Sequence, residues 1–187
     1  MSPLQRFLMA GILLAAFAAP SRAAEVFTFQ YLFNHAYDPA GFFSGSGTLT
    51  TDDLDPATNT YLITGVDGAR TVSAFGSTTT NTITGLLPPG GYAGNSNLLY
   101  AFAPWFLDEG GFSFTISDPT GGSDGMGHVN VYYFGYSSYS EAGAAAGFGN
   151  FTATLVQTPE VPEPAVGVLV VCGLACIAAG RRFSRRR

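Results

Sequence analysis

The sequence predicts an all-β fold, in which residues 24–157 form an antiparallel β-sandwich of the jelly-roll type. Apolar and polar residues alternate with a period of two along several segments, as expected for strands that bury one face. Clusters of Gly, Pro, Asp and Asn separate these segments and favour tight turns. No segment of this body carries a sustained helical repeat, because glycines interrupt its alanine-rich stretch EAGAAAGFG.

The first 23 residues are typical of a secretory signal peptide that enters the membrane as a helix. Arg6 precedes a 13-residue apolar stretch, and small residues come after it. As a helix this stretch covers about 20 Å, less than the roughly 30 Å of a bilayer's hydrocarbon core. We expect cleavage between Ala23 and Ala24, because Ser21 and Ala23 place small side chains before that bond. An uncleaved anchor or a buried core helix is the alternative.

Four segments of the body carry the clearest strand pattern. In EVFTFQYLF, aromatic rings share one side at Phe27, Phe29, Tyr31 and Phe33. The inward-facing residues predicted in GFSFTIS, HVNVYYFGY and NFTATLVQ are Phe112, Phe114, Ile116, Val129, Val131, Tyr133, Phe151, Ala153 and Leu155. Weaker candidate strands are GTLTT at 47–51, NTYLITGV at 59–66 and NTITGLL at 81–87, whereas VDGAR favours a turn.

The body is strongly acidic and lacks cysteine. Between residues 24 and 160, twelve Asp and Glu side chains stand against one base, Arg70, which leaves a net charge of −11. Such a surface repels phosphate backbones, so we expect no nucleic-acid partner. Both cysteines, Cys172 and Cys176, come after the body, and its stability must therefore come from a packed core without disulfides.

The C-terminal part combines a stiff linker, an apolar run and a basic end. Pro162 and Pro164 fix their own φ angles and bias Glu163 away from helix, so the linker at 158–164 separates the body from the apolar run. Sixteen uncharged residues at 165–180 predict a transmembrane helix about 24 Å long. The tail at 181–187 is expected to stop transfer on the cytoplasmic side. Its basic residues are Arg181, Arg182, Arg185, Arg186 and Arg187. A hydrophobic hairpin packed into the globule is the alternative.

This C-terminal order resembles the PEP-CTERM sorting signal of exported bacterial proteins. The matching features are the motif Pro162, Glu163 and Pro164, the apolar span after it, and the arginines at the end, about 27 residues in all. The resemblance implies recognition in the membrane by an exosortase and cleavage near the Pro-Glu-Pro motif. It also implies delivery to the surface or extracellular matrix of a Gram-negative bacterium that makes exopolysaccharide.

A second stretch, TITGLLPPGGYAGNSNLLY followed by FLDEGGFSF, resembles a segment found in a subset of these proteins. There an acidic residue stands inside the Asn-x-Asn triplet, whereas Ser96 occupies that place here. This departure weighs against an ion-binding role for Asn95 and Asn97. A tight surface loop before a strand is the favoured interpretation.

The body carries no recognisable catalytic motif, and we expect that it is not an enzyme. His35 and His128 are the two histidines of the chain, and neither an HExxH nor a GxSxG motif is present. A hydrolase that uses Asp108 and Glu109 is an alternative, although neighbouring residues on a strand point to opposite faces.

No cofactor is expected, and calcium is the one candidate ion. Flexible loops cluster carboxylates, which hard cations prefer, at Asp52, Asp53 and Asp55 and again at Asp118 and Asp124. Neither cluster matches an EF-hand, and solvated turn residues explain both.

Aromatic side chains suggest a carbohydrate-binding role as an alternative to a purely structural one. Trp105, Tyr132, Tyr133, Tyr136 and Tyr139 are candidates for a platform on which sugar rings stack, and core packing explains them as well.

The sequence thus predicts an exported protein that is held in the inner membrane during sorting and then reaches the cell surface or the extracellular matrix. Its expected role there is structural and non-enzymatic, with the membrane, an exosortase and exopolysaccharide as partners. The alternatives are a carbohydrate-binding module and a permanently anchored single-pass membrane protein.

Overall fold

The computed structural model describes residues 24–102, 105–122, 124–143 and 145–156, which form nine strands and one short 3-10 helix at Pro119–Gly121. The strands are β1 (Glu25–His35), β2 (Asp38–Thr51), β3 (Thr60–Ala74), β4 (Ser77–Leu86), β5 (Leu98–Tyr100), β6 (Phe112–Ile116), β7 (His128–Gly135), β8 (Ser138–Glu141) and β9 (Ala146–Val156). Every ladder between them is antiparallel, so the predicted all-β, antiparallel class is confirmed.

Within these ranges no helix has the length and apolar character needed to cross a bilayer. The predicted signal helix at 1–23 and the predicted transmembrane helix at 165–180 lie outside the described residues.

The strands belong to one sheet that closes on itself, which differs from the predicted jelly-roll sandwich. The ladders lead from β1 through β2, β3, β4, β6, β7, β8 and β9 and back to β1, while β5 pairs with the first residues of β3. Around the closed sheet the strands therefore follow their order in the chain, whereas a jelly roll divides its strands between two sheets by long crossings. The side chains that point into the closed sheet form its core.

Period-two alternation located most of that core correctly. Phe27, Phe29, Tyr31 and Phe33 are all buried, and so are the predicted inward residues of β6. The rings pack edge to face and in stacks, for example Phe29 against Phe112 with ring centroids 5.8 Å apart. One prediction is wrong: Leu155 is 47 % exposed, because it lies beyond the last buried residues of β9.

Glycines explain why β2 and β3 are longer than predicted. A Cβ atom at Gly45 would lie 2.3 Å from the Tyr31 ring, and one at Gly47 would lie 1.9 Å from the Asp67 carbonyl oxygen. Glycine is therefore required at these two positions of β2, although glycine-rich stretches favour loops in a sequence. VDGAR, predicted as a turn, lies inside β3 for the same reason, because Gly68 faces Gly47 across the ladder.

The sheet has two distinct ends. At one end, called the base here, Val26 pairs with Val156, so the start of β1 and the end of β9 lie side by side. At the other, called the far end, His35 pairs with Ala146 and the 3-10 helix comes after β6. Nine residue steps along β1, from Val26 to His35, separate the two ends, a distance of about 30 Å.

Candidate functional site

The predicted sorting residues fall outside the described part of the chain. Pro162, Glu163, Pro164, the C-terminal arginines and Ala23 are not described, and Ala24 is the first described residue.

The predicted aromatic platform divides into separate groups. Tyr139 is buried in the core, and its hydroxyl accepts a 2.8 Å hydrogen bond from the Phe106 N–H. Trp105 donates from Nε1 to the Tyr133 hydroxyl at 3.1 Å, which fixes the indole beside the β7–β8 turn. Tyr136, at that turn, is fully exposed. The predicted rings therefore do not form one flat surface.

A compact aromatic patch does exist on the outer side of β7 and β9, and it includes two rings that sequence reasoning missed. Phe134 and Phe148 are 53 % and 51 % exposed, and their ring centroids lie 4.6 Å apart. Tyr132 lies next to Phe134, with centroids 6.4 Å apart. Phe148 was difficult to recognise because glycines flank it in AGFGN and hide the alternation of β9. We call these three residues the outer aromatic patch.

A surface cleft of about 550 Å³ lies along the paired strands β1 and β9, and Tyr139 of β8 is among its lining residues. Close to this cleft, β8 is joined to β9 by one ladder pair, Tyr139 with Gly149, and by a hydrogen bond from Ser140 Oγ to the Gly147 carbonyl. Polar groups that can bond hydroxylated ligands line the cleft beside aromatic rings. These lining residues include Gln30, Ser137, Asn150, Thr152, Phe106 and Phe151.

The asparagine triplet has a structural role, in agreement with the favoured interpretation. Asn95 and Asn97 are buried, and Asn95 Nδ2 donates to Asn97 Oδ1 at 2.7 Å. Asn97 Nδ2 also donates to the Leu87 carbonyl, which holds the loop after β4. Ser96 Oγ donates to Asp108 Oδ1 at 2.7 Å and thereby joins the two segments of the second resemblance.

Three of the candidate calcium ligands, Asp55, Asp118 and Asp124, accept hydrogen bonds from turn residues. Asp55 accepts from the Ala57 N–H and the Thr58 hydroxyl, while Asp118 accepts from the Thr120 N–H and hydroxyl. Asp124 accepts from the Met126 N–H. Backbone hydrogen bonds lower the pKa of Asp55. Among the described residues, no group of three or more His, Cys, Asp or Glu side chains could hold a metal ion.

The candidate hydrolytic residues are not brought together either. Asp108 Oδ1 accepts from Ser96 and from the Gly111 N–H at 2.7 Å, and Glu109 beside it is exposed. His128 Nδ1 lies 2.7 Å from Asp124 Oδ2 at the surface, whereas His35 is buried at the far end of the sheet.

The far end contains a buried ion pair, to which sequence reasoning gave no role. Arg70 Nε donates to Glu141 Oε2 at 2.9 Å, and the side chains of Arg70 and Glu141 are 3 % and 1 % exposed. Arg70 Nη1 donates to the Gly121 carbonyl and so holds the 3-10 helix over the sheet. Tyr31 donates its hydroxyl to Glu141 Oε2 at 3.3 Å. Sequence reasoning missed Arg70 because VDGAR was predicted as a turn, whereas in β3 Arg70 comes four residues after Val66 on the same inward face.

Comparison with known proteins gives no relative from which a function could be transferred. No family model matches the chain, and neither a curated protein nor a solved structure matches it.

Proposed function

We propose that this chain is an exported, non-enzymatic protein of the cell surface or extracellular matrix, sorted by its C-terminal signal. The N-terminal segment directs export, the apolar span halts transfer, and Pro162, Glu163 and Pro164 are presented to an exosortase. Residues 165–180 hold the chain in the inner membrane until cleavage, and the arginines after them remain cytoplasmic.

One observation on the body supports this proposal. The core extends from Phe27 to Phe151, and the first and last strands pair with each other. The described residues by themselves close the sheet and fill this core, so we expect the body to keep both when either terminal segment is removed. The start of β1 and the end of β9 both lie at the base, where Val26 pairs with Val156.

The test is to replace Pro162, Glu163 and Pro164 with alanine in a host that encodes an exosortase, and to measure the mature C-terminus by mass spectrometry. We expect the wild-type chain to end near the motif and the variant to keep its apolar span in the membrane fraction. Glu160→Ala is the matched control, because it removes a linker acid outside the motif. An uncut wild-type chain in the membrane would favour the permanent anchor instead.

A stop codon at position 165 gives the second arm of this test. The truncated chain should accumulate in the periplasm as a full-length body. Normal delivery of this truncated chain to the surface would refute the sorting role.

A second candidate function, carbohydrate binding, is favoured by the outer aromatic patch and the cleft along β9. The Phe134 and Phe148 rings are half exposed although burial would stabilise them, and planar apolar rings suit stacking against sugar rings. The cleft supplies amide and hydroxyl groups from Gln30, Asn150 and Thr152. An acidic protein with these groups matches a neutral polysaccharide better than an anionic one.

Affinity electrophoresis of the full-length chain through gels that contain the host's exopolysaccharide tests this candidate. The double variant Phe134→Ala/Phe148→Ala should weaken retardation about tenfold, because two stacking contacts are lost. Leu62→Ala is the control, since Leu62 is an exposed apolar residue of β3 outside the patch. Equal retardation of the double variant and the wild type would exclude the patch as the binding surface.

A further inference from the structure

The far end of the sheet contains a cavity that the proposed function does not use. Its volume is about 500 Å³, within the range of roughly 300–1,000 Å³ that small-molecule sites occupy. Phe43 and Val72 form apolar walls, and the Arg70–Glu141 pair lies among the lining residues. Thr79 and Thr120, both exposed, line it as well, so the cavity reaches the surface.

A buried amide without a partner among the described residues lines this cavity. Asn81 is 5 % exposed, and its side chain makes no hydrogen bond to any residue that the structure describes. Its amide atoms keep some contact with solvent through the cavity, since neither belongs to the fully buried side-chain atoms that lack a partner. Other buried asparagines of the described chain, such as Asn97 and Asn130, are bonded to neighbouring groups. Within the described ranges, the Asn81 amide is therefore open to hydrogen bonding at the place where a ligand can reach it.

His35 adds a second polar group to the wall. Its Nδ1 accepts a 3.2 Å hydrogen bond from the Tyr37 N–H, which leaves Nε2 to carry the proton of the neutral ring as a donor. The ring stacks on Phe43, with centroids 5.3 Å apart and an angle of 11° between the planes, so its orientation is fixed. His35 stacks on the Phe43 ring and the Arg70 guanidinium carbon lies 5.5 Å from its centroid, so Phe43 contributes to the apolar wall together with Val72. Asn81 adds an amide to this wall and His35 adds a ring donor.

The charges around the cavity restrict the ligand. Arg70 is neutralised by Glu141 and also donates to the Gly121 carbonyl, so it presents no free positive charge to an anion. Asp118 in the lining repels an anion further. The Glu141 charge is balanced by Arg70, and Asp118 accepts from Thr120, so a cation finds no ready-made cage. An apolar ligand would leave the Asn81 amide without a partner from the ligand.

We propose that this far-end cavity binds a small neutral hydroxylated ligand, of the class of a single sugar residue, with Asn81 as its principal hydrogen-bonding group. An amide side chain both donates and accepts, which suits neighbouring hydroxyls, and the Phe43 wall suits the apolar face of a sugar ring. This site is separate from the outer aromatic patch and independent of the sorting signal. His35 in its wall lies nine residue steps along β1 from Val26 at the base, a distance of about 30 Å.

The test uses the full-length chain in a polyoxyethylene detergent, because glycoside detergents carry the ligand class under test. Glucose, galactose, mannose and N-acetylglucosamine are titrated while the side-chain amide resonances are followed by NMR. At least one neutral sugar should shift the Asn81 amide signal in a saturable way. Inorganic phosphate, glucuronate and decanoate serve as anionic and apolar probes and should leave it unshifted. No saturable shift with any neutral sugar, or a response to phosphate or decanoate instead, would overturn the proposal.

Two variants address the site itself. Asn81→Leu should lower the affinity about 10- to 100-fold, because a sugar hydroxyl loses its partner, and saturation-transfer NMR on the sugar measures this loss. Gly121→Ala places a methyl group 3.0 Å from Asn81 Nδ2 without changing a left-handed backbone angle, and it should also weaken binding. This variant decides the question if Asn81→Leu fails to fold.

Thr82→Val, on the outward face of the same strand, is the matched control and should bind like the wild type. The double variant of the outer aromatic patch should also keep its sugar affinity, which separates this site from polysaccharide binding there. Wild-type affinity in both Asn81→Leu and Gly121→Ala, or an equal loss in Thr82→Val, would refute the role of Asn81.

Discussion

Replacing Glu141 by Gln tests the buried ion pair at the far end of the sheet. The substitution keeps the size of the side chain and removes its charge, so Arg70 remains buried beside a neutral amide. Removing one partner of a buried pair costs about 3–5 kcal/mol in free energy of unfolding, and Gln keeps part of the hydrogen bonding, so we expect about 3 kcal/mol. The Tyr31 hydroxyl, 3.3 Å from Glu141 Oε2, loses a charged acceptor at the same time.

Urea denaturation followed by near-ultraviolet circular dichroism measures this loss. With a slope of about 2 kcal/mol per molar urea for a domain of this size, the midpoint should fall by about 1–2 M. Glu109→Gln makes the same chemical change at an exposed position and should stay within about 0.5 kcal/mol of the wild type.

A double variant separates the cost of an orphaned charge from the value of the pair. Arg70→Met/Glu141→Leu removes both charges and fills their volume with apolar groups, so its stability should lie near or above that of the wild type. A midpoint shift below about 0.3 M for Glu141→Gln would mean that water or a neighbouring group already compensates Arg70, and the reasoning would fail.

Three further predictions concern other parts of the sheet. Burial, reinforced by the Glu141 charge, raises the pKa of Tyr31 well above its usual value. The neutral Tyr31 side chain therefore contributes its full stability below about pH 10 and loses it as the pH rises. Tyr31→Phe should reduce this alkaline loss of stability in urea melts recorded from pH 8 to 11.5. Ser96→Asp would place two carboxylates within hydrogen-bonding distance at Asp108, and thermal melts should show a loss of about 1–3 kcal/mol at pH 7 that shrinks on acidification. Gly149→Ala would bring a Cβ atom to 1.9 Å from a β1 carbonyl oxygen, so hydrogen exchange at the β1–β9 ladder should accelerate.

Sequence reasoning succeeded where a strand buries large side chains on alternate positions. The rings of β1 and the apolar residues of β6 carry a pattern that one buried face imposes, and the structure buries both sets. The same reasoning failed for the first half of β2, because the Tyr31 ring occupies the space that a side chain at Gly45 would need. The information for that strand lies in its neighbour rather than in its own residues.

The closure of the sheet was unpredictable for a related reason. A single residue pair joins β8 to β9, and β8 has only four residues, too few for a periodic pattern. The ladder between β2 and β3 depends on contact between Gly47 and Gly68, which resemble turn residues in the sequence. Both features depend on contacts between strands, which the alternation of residues within one strand does not reveal.

The far-end cavity also depends on contacts between strands that are separate in the sequence. Asn81 and His35 lie on different strands that converge only at the far end, so neither stood out as a site residue in the sequence. Val26 and Val156 meet at the base of the body, whereas the cavity lies toward the opposite end of the sheet. If the sorting proposal holds, a sugar titration of membrane-held and released chains should therefore give equal affinities. A lower affinity in the membrane-held form would show that the far end is obstructed and would contradict this prediction.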